Sequence, residues 1–237
     1  MEKEKKHKIT LQNIFWYFII FSIIGLVVET LFGYVTNGYI DSRKGLLWGP
    51  FCPIYGVGAV ILILLLDRYK DSELKIFVLG GILGGVIEYV ISFALEAMYG
   101  SRFWDYSYFP FNLNGRICFK YSIYWSILAI ILMKIIRPSF DKAINKINAK
   151  LKGILEIGLF IFLCIDAVVT VWAISVYKDR ALAVYYNEQR VLSENKIIQS
   201  IEEDYFTNER MHKTFPNLRV IDREGKDIFI REILELE

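Results

Sequence analysis

Apolar residues in this chain fall into long, nearly unbroken runs, not the scattered periodic pattern of a soluble core. A run near 20 residues, at about 1.5 Å per residue, is long enough to cross the hydrocarbon core of a bilayer. The runs extend from about Ile14 to Phe32, Leu46 or Phe51 to Leu66, Ile76 to Met98, Ile117 to Ile136, and Ile154 to Tyr177. They predict an all-α polytopic membrane bundle of about five transmembrane helices over residues 1–177, followed by a soluble tail over 178–237. In the tail, an amphipathic helix is expected from Asp179 to about Phe206. Phe215-Pro216-Asn217 breaks it, and a short hairpin follows between Leu218 and Ile230 around Asp222-Arg223-Glu224-Gly225-Lys226. Between the fourth and fifth runs, Phe140, Ile144, Ile147 and Leu151 recur at helical spacing while Lys142, Lys146 and Lys150 fall elsewhere. That pattern predicts a basic amphipathic helix on the anionic inner leaflet, or a docking helix for a cytoplasmic partner.

Charge orients the runs. Lys3, Lys5, Lys6, Lys8, Arg68, Lys70, Lys75, Lys134, Arg137, Lys142, Lys146, Lys150 and Lys152 fall on one side. Arg43, Lys44, Arg102, Arg116 and Lys120 fall on the other. The excess of Lys and Arg on cytoplasmic loops predicts a multi-pass protein of the bacterial cytoplasmic membrane, with a cytoplasmic N-terminus and an extracytoplasmic tail. The first apolar run follows lysines as in a signal peptide. It is too long for the apolar region of one and lacks a small-residue cleavage pattern, so it reads as a retained helix.

Composition adds exclusions. A formal net charge of +2 gives no electrostatic footprint for nucleic acid. Cys52, Cys118 and Cys164 lack metal-binding spacing, although Cys52 and Cys118 fall on one predicted side, where a disulfide is conceivable. His7 and His212 lie in flanking segments, so no metal site and no cofactor is expected.

Ionisable residues inside a span are costly and mark function by default. Glu29, Glu88 and Asp166 are such residues, with Glu96 nearer an edge, whereas Lys134 and Glu156 sit where they can snorkel. Gly25 and Gly33 lie one turn either side of Glu29, and Gly80 and Gly84 precede Glu88 on its face. Small residues at this spacing let helices approach closely, so both acids are expected to point into the bundle. They serve either a polar cavity for a cation, a proton or a polar solute, or only helix–helix adhesion, paired with Arg43 or Arg116 or with a neighbouring helix. Two loops on the same predicted side extend the cavity reading. Residues Arg43 to Gly58 are too rich in proline, glycine and aromatics to begin a regular helix, which suggests a re-entrant or broken segment. Residues Arg102 to Ile117 interleave aromatics with Asp105, Asn112, Asn114 and Arg116. The candidate binding site is therefore Glu29, Arg43, Trp48, Tyr55, Glu88, Trp104, Asp105, Tyr106, Asn114 and Arg116.

The stretch W-G-P-F-C-P-I-Y-G-V-G from Trp48 to Gly58, Glu88-Tyr89, W-D-Y-S from Trp104 to Ser107 and N-L-N-G-R-I from Asn112 to Ile117 resembles the CmpB-like "putative ABC-transporter type IV" permease family over roughly Ile14 to Ile136. The resemblance implies a permease component. The chain has no Walker A pattern, so an ATPase would be a separate subunit. Coupling to it would fall on the Arg68–Lys75 loop or the Pro138–Gly153 segment, and a homodimer would help enclose a pathway. Two alternatives stay open. One is a membrane enzyme on a lipid or polyprenyl substrate, with Asp105 or Glu88 as acid or base and Arg116 holding a phosphate. The other is a non-catalytic sensor or assembly factor working through the tail.

Overall fold

A computed structural model describes residues 9–99, 102–190 and 193–236; Lys3, Lys5, Lys6, His7 and Lys8 lie outside the described residues. The first apolar run forms α1 (Leu11–Asn37). Thr10 accepts the backbone N–H of Asn13, whose side chain reaches back to the Thr10 backbone, and Gly38 ends the helix at φ 81°. The third run forms α3 (Glu73–Tyr99). The fourth forms α4 (Phe119–Ile131), which passes through a π-turn (Leu132–Ile136) into α5 (Arg137–Ile144). Pro138 has no N–H to give the preceding turn, so a one-residue shift in the hydrogen-bond ladder is tolerated there. The fifth run forms α6 (Ala149–Tyr185).

Among the described residues four helices are long and apolar enough to cross a membrane. The expected second span is different: it is helical only as α2 (Pro53–Leu66), whose 14 residues reach about 21 Å. Residues 38–52 before it have no regular structure. Pro50 and Pro53 supply no N–H, and Gly49 takes φ 68°, so this stretch cannot continue a helical ladder. It reaches the middle of α1, where the Cys52 N–H donates to the Ser22 carbonyl at 3.0 Å. From there α2 runs back towards the start of α1, and Leu62, Ile63 and Leu66 pack with Trp16 and Tyr17.

Small residues set how closely the helices meet. Gly80, Gly81, Gly84 and Gly85 on α3 face Ala129, Ser126, Trp125 and Ser122 on α4. On α1 and α2, Gly25 lies under the Tyr55 ring, and Gly56 sits 2.5 Å, measured from an ideal Cβ, from the Phe18 carbonyl oxygen. At the N-terminal end of the bundle, Tyr17 and Arg137 both bond Asp141, and Arg137 reaches Asp67 at 2.6 Å. The expected amphipathic helix between α4 and α6 is therefore only partly present. Phe140 packs on Phe21 and Ile144 is buried, but the helix stops at Ile144, and Asn148 caps a fresh start by accepting the Lys150 and Leu151 amides.

At its start α6 is tied to α1, where Glu156 accepts from Gln12 Nε2 at 2.9 Å and from Trp16 Nε1 at 2.5 Å. Its 37 residues span about 55 Å, well beyond the ~30 Å hydrocarbon core. The overhang is the spine of the tail: Ala173, Ile174, Tyr177 and Ala181 pack against Phe206, Met211, Phe215, Leu218, Val220 and Ile230. The helix expected from Asp179 to Phe206 is in fact the end of α6, a break with Asn187 at φ 52°, and α7 (Lys196–Ser200) running into a π-turn (Ile201–Tyr205). After α8 (Asn208–Thr214), strands Arg219–Ile221 and Asp227–Phe229 pair antiparallel before α9 (Ile230–Ile233). The Ser42 hydroxyl donates to the Thr214 carbonyl at 2.8 Å, which sets the tail at the end of the bundle opposite Gln12 and Glu156.

Replacing Gly56 or Gly80 with alanine should lower thermal stability in detergent by the equivalent of about 1–3 kcal/mol, because the added methyl would meet Ser22 and Phe18 or Ala129. Gly158→Ala, whose methyl would meet nothing within 4 Å, should be neutral or slightly stabilising.

Candidate functional site

Two of the three mid-span acids converge. Glu29 projects from α1 one turn after Gly25, whose missing side chain lets the first turn of α2 lay Tyr55 against α1. The Tyr55 hydroxyl donates to Glu29 Oε2. Glu88, on α3, is 8% exposed. Its Oε1 accepts from the Tyr106 hydroxyl at 2.8 Å and its Oε2 from Trp125 Nε1 at 3.1 Å. Gly84, one turn earlier, leaves the space into which the Trp125 indole fits. Tyr106 in turn stacks on Tyr121, with ring centroids 4.4 Å apart. The helix α2 packs against both α1 and α3, so the two halves belong to one bundle.

The chemistry of this cluster follows from its donors. Each acid is held by phenol or indole groups, which are neutral. Among the described residues no Lys or Arg lies within ion-pair distance of Glu29 or Glu88. A carboxylate has about four acceptor positions, and the hydrogen bonds here use one at Glu29 and two at Glu88. The arrangement leaves acceptor positions unfilled and, among the described residues, gives neither acid a basic partner, which suits a proton, a cation or a polar donor group.

The expected pairing of Arg116 or Arg43 with these acids is not formed. Arg116 is 8% exposed and bonds Glu96 at 2.6 Å and Ser92 Oγ at 3.0 Å. Arg102 joins the same Glu96 at 2.9 Å. Trp104 Nε1 donates to the Arg116 carbonyl, and Asn114 Nδ2 donates to the Tyr89 hydroxyl. Asp105 accepts from the Ser107 amide and hydroxyl and closes a turn against Gly115, itself at φ 68°. Burial opposes ionisation of Asp105, but the two Ser107 hydrogen bonds and the nearby Arg102 charge outweigh it and hold its carboxyl below the usual range. These groups build a rigid cap beside the acid cluster, and only Tyr106 reaches from it to a mid-span acid.

Trp48 makes no contact with Glu29 or Glu88, and Arg43, although it lies one turn along α1 from Glu29, forms no ion pair with it. The Trp48 ring packs among α6 and tail residues, and the Arg43 guanidinium lies against Gly33 of α1. The irregular segment that carries them is pinned to α6. The Leu47 amide donates to Thr170 Oγ1 at 2.9 Å and the Trp48 amide to Asp166 Oδ1 at 3.2 Å; Asp166 is fully buried. The third mid-span acid therefore caps broken backbone. Cys52, Cys118 and Cys164 are free thiols, and among the described residues no cluster of three or more His, Cys, Asp or Glu could hold a metal.

Sequence reasoning missed Trp125, Tyr121, Ser92 and the partners of Glu96 and Asp166. An aromatic in an apolar run reads as lipid-facing or core. The signal that could have singled out Trp125 is the match between the glycine stripe of α3 and Ser122, Ser126 and Ala129 at the same spacing on α4. Tyr106→Phe should cost about 1–3 kcal/mol of stability, because Glu88 Oε1 would lose a donor inside the bundle. A melting temperature in detergent equal to that of the unmodified chain would show that this bond does not hold the site.

No curated protein and no solved structure matches this chain. One protein family does: the family described as "Putative ABC-transporter type IV" matches residues 16–171. The match runs beyond the stretch over which the motifs resemble that family, through most of α6, and stops just before Trp172, where the tail packs onto that helix. Residues 16–171 make up well over half of the chain, so this membrane protein belongs to the "Putative ABC-transporter type IV" family.

Proposed function

We propose that the chain is a permease-like subunit that moves a proton, a cation or a cationic polar solute past the Glu29–Tyr55 and Glu88–Tyr106–Trp125 cluster. One observation carries this reading: two carboxyl groups lie in one helix bundle, each held by neutral donors, and among the described residues no basic side chain pairs with either. Acids that served adhesion alone would be cheaper to bury as charge pairs or as apolar residues. The pass formed by residues 38–66 supports the reading, because a pass that breaks beside the acids is a place where backbone can move without unwinding a helix.

The Lys and Arg bias favours an orientation with the N-terminal end of the bundle in the cytoplasm and the tail outside. On the cytoplasmic side, α5 is clasped by Asp67, Tyr17 and Phe21, while Lys142, Lys146 and Lys150 face outwards around it. A fixed element with an exposed basic rim is where a separate ATPase subunit would dock. The groups a lipid-modifying enzyme would need are occupied, Arg116 by Glu96 and Ser92, and Asp105 by Ser107, which weighs against that alternative.

Glu29→Gln and Glu88→Gln, made singly in the full chain, should fold and melt within a few degrees of the unmodified protein yet fail to restore the phenotype of a deletion strain. Full complementation by both variants would end the transport reading. Complementation lost only on removal of residues 186–237 would move the function to the tail.

A further inference from the structure

The residues from Lys196 to Tyr205 form one short helical element, α7 and its π-turn, with three distinct faces. One face is bonded to α6. Glu202, 7% exposed, accepts from Trp172 Nε1 at 3.1 Å and pairs with Arg190, while Phe206 meets the Trp172 ring edge-on at 5.0 Å. Arg180 caps the element by donating to the carbonyls of Glu202 and Phe206. These contacts fix its rotation about its own axis. A second face is polar: Gln199 bonds Glu203 and Ser200 bonds Asp204. The third carries Ile197, Ile201 and Tyr205, at successive i, i+4 positions, with Ile198 beside them. They are 72%, 37%, 46% and 36% exposed respectively, and in water this stripe would be costly.

Its depth along α6 says what covers the stripe. Counting from Glu156, bonded to the start of α1, Trp172 lies about 24 Å along the helix and Lys178 about 33 Å. A hydrocarbon core about 30 Å thick that begins at Glu156 ends about one turn beyond Trp172, so Trp172 lies in the last turn before the far membrane–water boundary, near which tryptophan is favoured. Val168 and Val171, just below it on α6, are exposed apolar residues within the membrane-spanning stretch. Glu202 and Phe206 hold the element against α6 at the level of Trp172, so the exposed stripe lies at the same depth.

We infer that the 196–205 element is an interfacial helix, with Ile197, Ile198, Ile201 and Tyr205 inserted into the headgroup–acyl boundary of the same bilayer that α6 crosses. Arg210, stacked 4.1 Å over the Tyr205 ring, lies where it can meet headgroup phosphates. The tail is in this way anchored to the membrane at a second place beyond α6, and the inference stands whether or not the bundle transports a solute.

The test uses the full chain in nanodiscs of phosphatidylcholine and phosphatidylglycerol, with spin labels on Ile197→Cys, Ile201→Cys and Glu203→Cys in a Cys164→Ser background. Positions 197 and 201 should relax strongly with oxygen and weakly with a water-soluble nickel chelate; position 203 should show the reverse. Equal access of nickel to all three positions would overturn the inference. So would exclusion of both reagents at 197 and 201, which would mean a protein partner or a second copy covers the stripe. The unmodified chain gives an independent check: a membrane-partitioned carbene reagent should label the 196–205 peptide, and an unlabelled peptide would also overturn it.

Discussion

Backbone buried in a membrane bundle must have its hydrogen bonds satisfied, and the segment between α1 and α2 cannot satisfy them as a helix. Pro50 and Pro53 lack donors and Gly49 takes a left-handed conformation, so over residues 38–52 the chain depends on its neighbours. The Leu47 and Trp48 amides go to Thr170 and Asp166 on α6, the Cys52 amide to the Ser22 carbonyl on α1, and the Gly45 amide to the Phe51 carbonyl within the segment. Asp166 thus has a structural task that no apolar residue could take over. An unsatisfied amide in such a place costs on the order of 1–3 kcal/mol, so these pairings decide whether the bundle closes at all.

Much of the rest follows from where that segment ends. Because α2 begins halfway along α1, Tyr55 meets Gly25 and reaches Glu29 from its first turn. A regular helix from Leu46 would present a different face there. On the other side of the bundle the glycine stripe of α3 draws α4 close enough for Trp125 to reach Glu88, and the loop before α4 delivers Tyr106. The acid cluster is therefore the product of two close helix pairs, each made possible by glycine, and of one break in regular structure.

The apolar runs made the long helices legible in the sequence, and the spacing of Gly25, Gly80 and Gly84 around Glu29 and Glu88 indicated which faces pack. The density of proline and glycine between Arg43 and Gly58 marked the broken pass. The partners were not legible. Arg116 was a candidate mate for a mid-span acid, but Glu96, near the end of α3 and shared with Arg102, takes its guanidinium while Ser92, one turn earlier, accepts a further bond from it. Trp48 looked like part of an outward pocket, yet its backbone is held by Asp166 and its ring falls among tail residues, whose packing no local pattern records. The end of α6 was missed because Lys178, Asp179 and Arg180 read as the start of a separate surface helix, whereas they continue a helix that has left the membrane.

The central claim is that residues 45–52 are a non-helical segment, with Leu46, Leu47, Phe51 and Cys52 buried, latched to α6 through Asp166 and Thr170. Amide hydrogen exchange across this segment in nanodiscs, for the unmodified chain and for Asp166→Leu, tests it most directly. The account predicts exchange in the unmodified chain far slower than in the exposed turn at 107–114, and protection lost over 47–48 in the variant while α3 and α4 stay protected. A segment that exchanges as fast as that exposed turn, with or without Asp166, would contradict it.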